Sequence, residues 1–495
     1  MRRADRSTRA GATRSALASV FARWFATMFA PVFAPALLLG GCMSFIPAYE
    51  RPTAPVATAY APELTLAAGG ANAAGATATA DIDWQRFFTD ARLKRLIELS
   101  LQNNRDLRVA ILNIEQARAA YDVRRADQWP SVGAGVQAQR QAGSSGGLVN
   151  SYAVGLQVTG YELDFFGRVR SLSQAALSQY LATEEARKTA QITLVSGVAT
   201  TYVSLLADEE LLRVTRDTLK TREDSFRLTR LRFDNGASSE VDVRQGEQLL
   251  ETARVALAQA QRQRALDENA LTLLVGQPLP ADLPEGLSLA AQPGPTELPA
   301  GLPSELLTRR PDVLAAEQQL LAANANIGAA RAAFFPRISL TANAGTASSE
   351  LSGLFKSGSF ALTGSATLLQ PIFDAGRNQA NLAVAKVNKD IAIAQYEKAI
   401  QTAFREVSDS LAGRATLGEQ LRAQNAVAAA AQASFRLADL RYRNGVASYF
   451  DVLDAQRTLF SAQQAAVQTQ ALQAQNRVTL YKVLGGGWSG PAATN

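Results

Sequence analysis

Four short segments set the strongest limit on what this 495-residue chain can become. In SVGAGVQAQRQ, Val132, Ala134, Val136 and Ala138 fall on one side, and Ser131, Gly133, Gly135, Gln137 and Gln139 on the other. SYAVGLQVTG sets Tyr152, Val154, Leu156 and Val158 against Ala153, Gly155, Gln157 and Thr159. RISLTANAG and FALTGSATL follow suit, with Ile338, Leu340, Ala342 and Ala344, then Phe360, Leu362, Ala366 and Leu368, opposite small or polar residues. A period of two residues marks strands with unlike faces. Loops rich in Gly and Ser join them into hairpins over 131–163 and 337–369. Such strands suit a sheet wetted on one side, or the wall of a membrane barrel, where about 9 to 11 tilted residues cross the bilayer and the lumen stays polar. The smallest membrane barrels need about eight strands, so four cannot close one, and the barrel reading requires several copies of the chain.

Each hairpin runs into a long segment without a helix breaker. From about Arg170 to Phe233 there is no Pro and one Gly, Gly197, and from Asn378 to Tyr442 there is again no Pro. About 64 helical residues make a rod about 95 Å long, roughly three times the hydrocarbon thickness of a bilayer. Its many charged residues place it in water. Val198, Leu205, Leu212, Leu219, Phe226 and Phe233 recur every seven residues, and Ile393, Tyr396, Ile400, Ala403 and Val407 alternate by three and four. Both are seams of helices packed side by side.

The rods end in a stretch that occurs twice. Ser225–Val243 and Ser434–Val452 are identical at 11 of 19 positions, so the chain reads as two related halves. Asn235-Gly236 and Asn444-Gly445 suit a left-handed helix terminus. Ser239 with Asp242, and Ser448 with Asp451, have the spacing of a capping box that starts a returning helix. The halves are assigned as 81–276 and 303–485, joined by a Pro- and Gly-rich linker, 277–302, and followed by a tail, 486–495. From Ala91 to Asp127 the composition is helical up to Trp129-Pro130.

The first 41 residues carry six Arg, one Asp and an apolar run from Trp24 to Gly41, a signal sequence, which accounts for +5 of the formal charge of +6. The remaining chain is close to neutral, which removes the argument for nucleic acid. No run of 18 apolar residues follows, so no membrane-spanning helix is expected. The single cysteine, Cys42, follows Leu39, Gly40 and Gly41 and resembles the acylated cysteine of a bacterial lipobox. It would carry a diacylglyceryl group and an N-acyl chain, and residues 42–80, rich in Ala, Pro, Thr and Gly, would form a lipidated tether. With no His and one Cys, imidazole bases, His-containing metal sites and internal disulfides are excluded. No nucleophile and base constellation appears, so neither enzyme chemistry nor a metal or other cofactor beyond that lipid is expected.

Several stretches taken together are similar to one family. AYERPTAPV, DWQRFFTDARLKRLIELSLQNNRDLRVAILNIEQARA, YELDFFGR, RRPDVLAAEQQLLAANANIGAARAAFFPRISL, QPIFDAGR and LRYRNGVASYFDVLDAQRTLF resemble the TolC-like outer-membrane factors. With the lipobox, the resemblance is to the OprM/NodT-type lipoproteins that serve resistance-nodulation-division efflux pumps. It implies a mostly α fold with a minor β part: a homotrimeric, twelve-stranded outer-membrane barrel continued by a periplasmic tunnel of coiled-coil helices. It implies a lipid-anchored outer-membrane location, a periplasmic adaptor and an inner-membrane pump as partners, and passive conduction of drugs or other small molecules. Carried over by motif, Phe450 and Asp454 form an apolar and an acidic ring at the periplasmic gate, and Tyr442 and Arg457 join the latch that holds the hairpins together. Phe450 stands where such lipoproteins usually have Leu. The tips Asn235, Gly236, Ala237, Asn444, Gly445 and Val446 become the adaptor contacts. The residues alone would read Asp454 and Arg457 as a surface pair on one helix, worth about 0.2–0.5 kcal/mol.

Other functions are open to the same pattern. An exit duct for type I protein secretion or for metal ions is the nearest, although metal transport is poorly served by three Met and no His. A structural coiled-coil lipoprotein of the cell envelope is another, and it has no use for four alternating strands.

Overall fold

The computed structural model describes residues 44–60, 82–142, 146–292, 307 and 309–487. The leader, Cys42, residues 61–81, most of the second part of the linker and the end of the tail lie outside the described residues. In chain order the elements are α1 (Trp84–Phe87), α2 (Ala91–Asn103), α3 (Arg105–Ala126), β1 (Val132–Ala142), β2 (Leu148–Leu163), α4 (Arg168–Asp234) and α5 (Glu240–Val275). Then follow α6 (Pro311–Ala332), β3 (Arg337–Ser348), β4 (Phe360–Leu369), α7 (Arg377–Arg443) and α8 (Tyr449–Val483). The chain divides into two compact units, one comprising Gln128–Ser171 and Gly328–Asn378 with the described residues up to Ile46, the other the remainder.

The first unit is built on one antiparallel sheet in the order β1-β2-β3-β4. Its register joins the two halves through β2 and β3 and keeps the alternation coherent: Val136 faces Val154, Leu156 faces Ala344, and Ala344 faces Leu362. One face is therefore apolar across all four strands, and it is exposed in the single chain, Val136 by 80%. β2 is 16 residues long, longer than the alternation suggests, because a bulge lies between Val158 and Tyr161. Gly160, at φ +65°, takes the left-handed conformation there, and its N–H meets Thr341 Oγ1 at 3.3 Å. The extra residue reverses the parity of β2, so Tyr161 and Leu163 join the apolar face opposite Leu340 and Ile338, and Glu162 joins the polar one opposite Ser339.

At the β2–β3 boundary Gly155 pairs with Gly345. A Cβ on Gly345 would lie 2.1 Å from the Val154 carbonyl oxygen, and one on Gly155 would lie 2.5 Å from that of Ala344. The backbones approach closer than any side chain on that face allows. Phe45 of the amino-terminal segment stacks on Phe335 at 4.6 Å, Phe335 stacks on Phe166 at 4.9 Å, and Arg331 Nη1 donates to the Phe45 carbonyl at 3.2 Å.

The second unit is helical. Its core gathers Phe87, Leu93, Leu96 and Ile97 with Val195, Val198 and Tyr202 of α4, Leu271 and Val275 of α5, Leu320 of α6, Tyr396, Ile400 and Leu411 of α7, and Tyr481 of α8. Two buried charged groups organise this core. Asp90 is 1% exposed; its Oδ1 caps α2 through the N–H groups of Arg92 and Leu93, and its Oδ2 accepts from Tyr202, Leu287 and Gln292. Buried Arg310 donates to Asp312, Glu406 and the Val483 carbonyl. The helical stretch expected from Ala91 to Asp127 is broken at Asn104. Its Oδ1 accepts from Leu107 N to start α3, while its Nδ2 and the Ser100 hydroxyl both donate to the Leu274 carbonyl. Gly276 ends α5 at φ +79° with Asn103 O where a Cβ would lie, at 2.5 Å, so only glycine fits this junction.

Residues 47–60 contain no helix or strand, as a tether would, yet they are fastened down. Arg51 forms a bidentate pair with buried Glu317 at 2.8 and 2.9 Å, the Tyr49 hydroxyl donates to the same carboxylate at 2.9 Å, and Tyr60 stacks on Phe404 at 5.0 Å.

α4 and α7 are both 67 residues long, about 100 Å of helix each. A window of α4 is apolar enough by composition to cross a bilayer, but 61% of it is buried within the chain, as in the core helix of a water-borne bundle. The expected α4 seam is buried at Val198, Leu205 and Leu212 and only half-buried at Leu219, Phe226 and Phe233. In α7 the seam is closed from Tyr396 to Leu411, and Ala431 is the one buried residue after that.

Crowding at the Gly155–Gly345 pair predicts that Gly345→Ala costs about 1–3 kcal/mol. The fraction of protein migrating as the compact, heat-modifiable band in semi-native electrophoresis should fall. Gly364→Ala, with nothing within 4 Å of the new methyl, should migrate as the wild type.

Candidate functional site at the helix tips

The repeated stretches form two tips of the same construction. Gly236 and Gly445 take φ values of +74° and +72°, and the N–H groups of Ala237 and Val446 close back onto Arg232 and Arg441 carbonyls at 2.7 and 2.9 Å. These are Schellman-type ends. Asn235 and Asn444 act differently from the expectation. Neither has positive φ, and each uses its side-chain amide to donate to a last-turn carbonyl, Leu231 and Leu440, at 2.7 and 2.8 Å. Both capping boxes are formed, Ser239 with Asp242 and Ser448 with Asp451. Burial works against ionised Asp242, but the N–H and hydroxyl of Ser239 and the hydroxyl of Ser238 outweigh it and hold the carboxyl below its ordinary value. Val446, Val241 and Leu231 leave apolar surface exposed at the tips.

Behind the second tip, Phe450, Asp454 and Arg457 follow at i, i+4 and i+7 on one exposed face of α8. Arg457 Nη2 pairs with Asp454 Oδ1 at 3.2 Å, with side chains 54% and 62% exposed. Its guanidinium carbon lies 6.0 Å from the Phe450 ring centre. Tyr442 is engaged elsewhere: Arg232 sits over its ring at 4.5 Å and Tyr449 packs against it at 5.2 Å. Within one chain, then, three of the four expected gate residues form one group, and Tyr442 belongs to another.

That other group is a seam between the two helical hairpins, and the sequence reading missed its chief members. Tyr449 is buried with Leu249, Val452 and Leu453, and its hydroxyl lies 3.3 Å from Ser225 Oγ. Gly246 lets α5 reach this tyrosine, since a Cβ there would stand 3.0 Å from the hydroxyl and 3.3 Å from the Phe226 ring. Arg222, 3% exposed, gives Nη1 to the Leu249 carbonyl at 2.9 Å and lies 5.1 Å over the Phe460 ring. Its Nε has no acceptor among the described residues. Burial, with the like charge of Arg457, pulls the guanidinium down to about 10. A buried cation held by one neutral carbonyl and a ring is a strained fastening. The signals that could have found it were the lone Gly in α5 and an Arg one turn ahead of a seam position.

Farther along the same pair of helices, buried Asp208 of α4 lies beside Asp267 of α5. Burial first, then the charge and hydrogen bond of Asp267, push it up to about 7, against the pull of Arg264. Arg264 is shared with Glu209 and Glu268 at 3.4 and 2.9 Å, so little of its charge is left for Asp208.

An open sheet apolar on one face, and helical hairpins with exposed apolar tips, are the parts expected of an envelope channel protein. Comparison with known proteins agrees. Residues 96–277 and 302–486 match the family described as outer membrane efflux protein. The chain is 48% identical over 467 residues to the probable efflux pump outer membrane protein TtgC of Pseudomonas putida, covering 92% of this chain and 94% of that one. It is 44% identical over 460 residues to outer membrane protein OprJ of Pseudomonas aeruginosa, at 92% and 94% coverage. The open-state structure of the MtrE outer membrane channel of Neisseria gonorrhoeae superposes with a TM-score of 0.81 at 41% identity, covering 90% of this chain and 98% of that one. The chain belongs to the outer membrane efflux protein family. Its work is that of the outer-membrane component of an efflux pump.

Two outcomes follow for the seam. Gly246→Ala should loosen the Tyr449 contact and raise ion leak in planar bilayers, and adding Tyr449→Phe, which removes the crowded hydroxyl, should reverse most of that rise. For Asp208, the folded state holds a proton that the unfolded chain has lost between the ordinary carboxylate range and about pH 7. Its contribution to stability therefore falls as pH rises through that window and is unfavourable above it. Asp208→Asn should raise the melting temperature at pH 8, and by clearly less at pH 5.

Proposed function

We propose that three copies of this chain assemble into a passive exit duct. The observation that carries this reading is the sheet: β1 and β4 each have one neighbour, and large side chains of the apolar face they share, Val136, Leu156, Phe360 and Leu368, stay exposed among the described residues. In hydrocarbon every backbone N–H and C=O must find a partner, so a sheet in the membrane has to close. β4 of one copy pairing with β1 of the next, three times over, gives a twelve-stranded barrel with the Gly, Ser, Thr and Gln face inward. The helical unit asks for the same partners. Val255, Leu266 and Leu273 of α5 and Val427, Leu437 and Leu440 of α7 are large apolar side chains left exposed, and two helical hairpins from each copy would seal a tunnel of twelve helices.

In that assembly the face bearing Phe450 and Asp454 turns toward the axis, making an apolar ring and three symmetry-related carboxylates that repel anions and attract cations. The Asp454–Arg457 pair is an exposed i,i+3 contact worth at most about 0.5 kcal/mol, so Arg457 is free to change partners when the hairpins move. A periplasmic adaptor engages the tips at Asn235, Gly236, Ala237, Asn444, Gly445 and Val446. An inner-membrane pump of the resistance-nodulation-division type supplies the energy, and the duct itself catalyses nothing. Cys42, acylated, anchors each copy to the outer membrane. Relatives named for antibiotic and toluene efflux support drugs and small organic molecules as cargo.

Sedimentation in detergent should give the mass of three chains; a single-chain mass would end the proposal. In planar bilayers Asp454→Ala should raise the mean conductance of the resting channel several-fold, whereas unchanged conductance would remove Asp454 from the gate. Deleting the gene while keeping the neighbouring pump should restore sensitivity to the exported compounds.

A further inference from the structure

We propose a binding site for the phosphate of a membrane phospholipid at the amino-terminal end of α7, centred on Arg377. The two long helices start alike: Asp164 Oδ2 accepts from Arg170 N at 2.7 Å to cap α4, and Asp374 Oδ2 accepts from Asn378 N at 2.9 Å to cap α7. Each start also carries an arginine after a glycine, Arg168 in LDFFGR and Arg377 in FDAGR. Their partners differ. Arg168 is clamped by Glu162 at 2.8 and 2.6 Å, and Arg337 adds a third contact to the same carboxylate at 3.2 Å. Two residues before the capping aspartate, where the first start has Glu162, the second has Ile372. Among the described residues no carboxylate is paired with Arg377.

Arg377 lines a cavity of about 180 Å³ shared with Arg168, Arg337, Glu162 and Asp164. Three cations and two anions leave its wall with a charge of +1. Beside the cavity Ile372 and Phe373 are each 89% exposed, and Trp129, Phe165 and Phe334, also exposed, stand at the corresponding ends of the other strands. Exposed aromatic residues at strand ends belong to the headgroup level of a membrane barrel. An unmatched guanidinium at that level, with a polar recess on one side and bare apolar side chains on the other, fits a phosphate with an acyl chain attached. Arg supplies forked donors to phosphate oxygens, and Ile372 and Phe373 supply contact for the chain. The inference rests on the reading of the sheet as membrane wall.

The test is native mass spectrometry of the delipidated, detergent-solubilised oligomer titrated with short-chain phosphatidylglycerol. One lipid per chain is expected, displaced poorly by inorganic phosphate and by the deacylated headgroup. Arg377→Gln should weaken binding roughly five- to tenfold, and Arg377→Lys should keep most of it. Displacement by inorganic phosphate as readily as by lipid would make this a free-anion site and overturn the lipid assignment. An Arg377→Gln oligomer that binds lipid as the wild type does, or that falls apart without lipid while wild type holds, would overturn the site, the second result showing that Arg377 is paired with a neighbouring chain. Absence of any wild-type oligomer would instead count against the channel reading itself.

Discussion

Backbone hydrogen bonding in hydrocarbon is the constraint on which the rest depends. A strand edge in water is satisfied by solvent, and in lipid it is not, each open group costing several kcal/mol. Four strands in register present two such edges. On the proposed reading, the apolar face that suits them to lipid is the same feature that calls for further copies of the chain. The paired glycines at positions 155 and 345 show the other side of this demand: where the two halves of the chain meet, the strands come together more tightly than any Cβ permits.

The helical unit has a gradient of fastening. Around Asp90 and Arg310 the polar groups are multiply bonded, and the apolar residues there, with Tyr396 and Tyr481 among them, are closely packed. Toward the tips the α4 seam residues are half-exposed, and the contacts between hairpins are a small apolar cluster of Leu249 with Tyr449, Val452 and Leu453, a tyrosine against a glycine, and arginines over aromatic rings. Regions with few buried contacts open at low cost. This distribution supports the proposal that the duct opens at its tips and stays intact elsewhere. Arg222, whose buried charge is poorly compensated, adds to the ease of separation.

Much of the fold could be read directly because it follows from local periodicity. Four strands, two long helices and the turns at 236 and 445 depend on side-chain alternation, absence of breakers and glycine, all visible in a line of residues. What escaped depends on contacts between residues far apart. Asn104 breaks a helix because Leu274 offers a carbonyl to its side chain. The bulge at Gly160 is invisible to a period-two count, which it interrupts only once. Glu317 turns an apparent tether into a fixed segment through Arg51 and Tyr49. At the tips, Phe450, Asp454 and Arg457 could be singled out by motif, whereas Tyr449, Gly246 and Arg222 leave only faint signals, a lone glycine and an arginine beside a seam position, because what buries them is a second hairpin far away in the chain.

The amino-acid order by itself determined the element types, the apolar and polar faces and the tip chemistry, because each is a matter of near neighbours and of counting. Only the tertiary structure decided which charges are matched. Glu162 serves both Arg168 and Arg337, while among the described residues Arg377 has no acid, and Asp208 is raised by burial and by a second carboxyl 59 residues away. The energy of a charge is set by whatever the fold brings within a few ångströms of it and by how much water remains there, and neither quantity is written in sequence spacing.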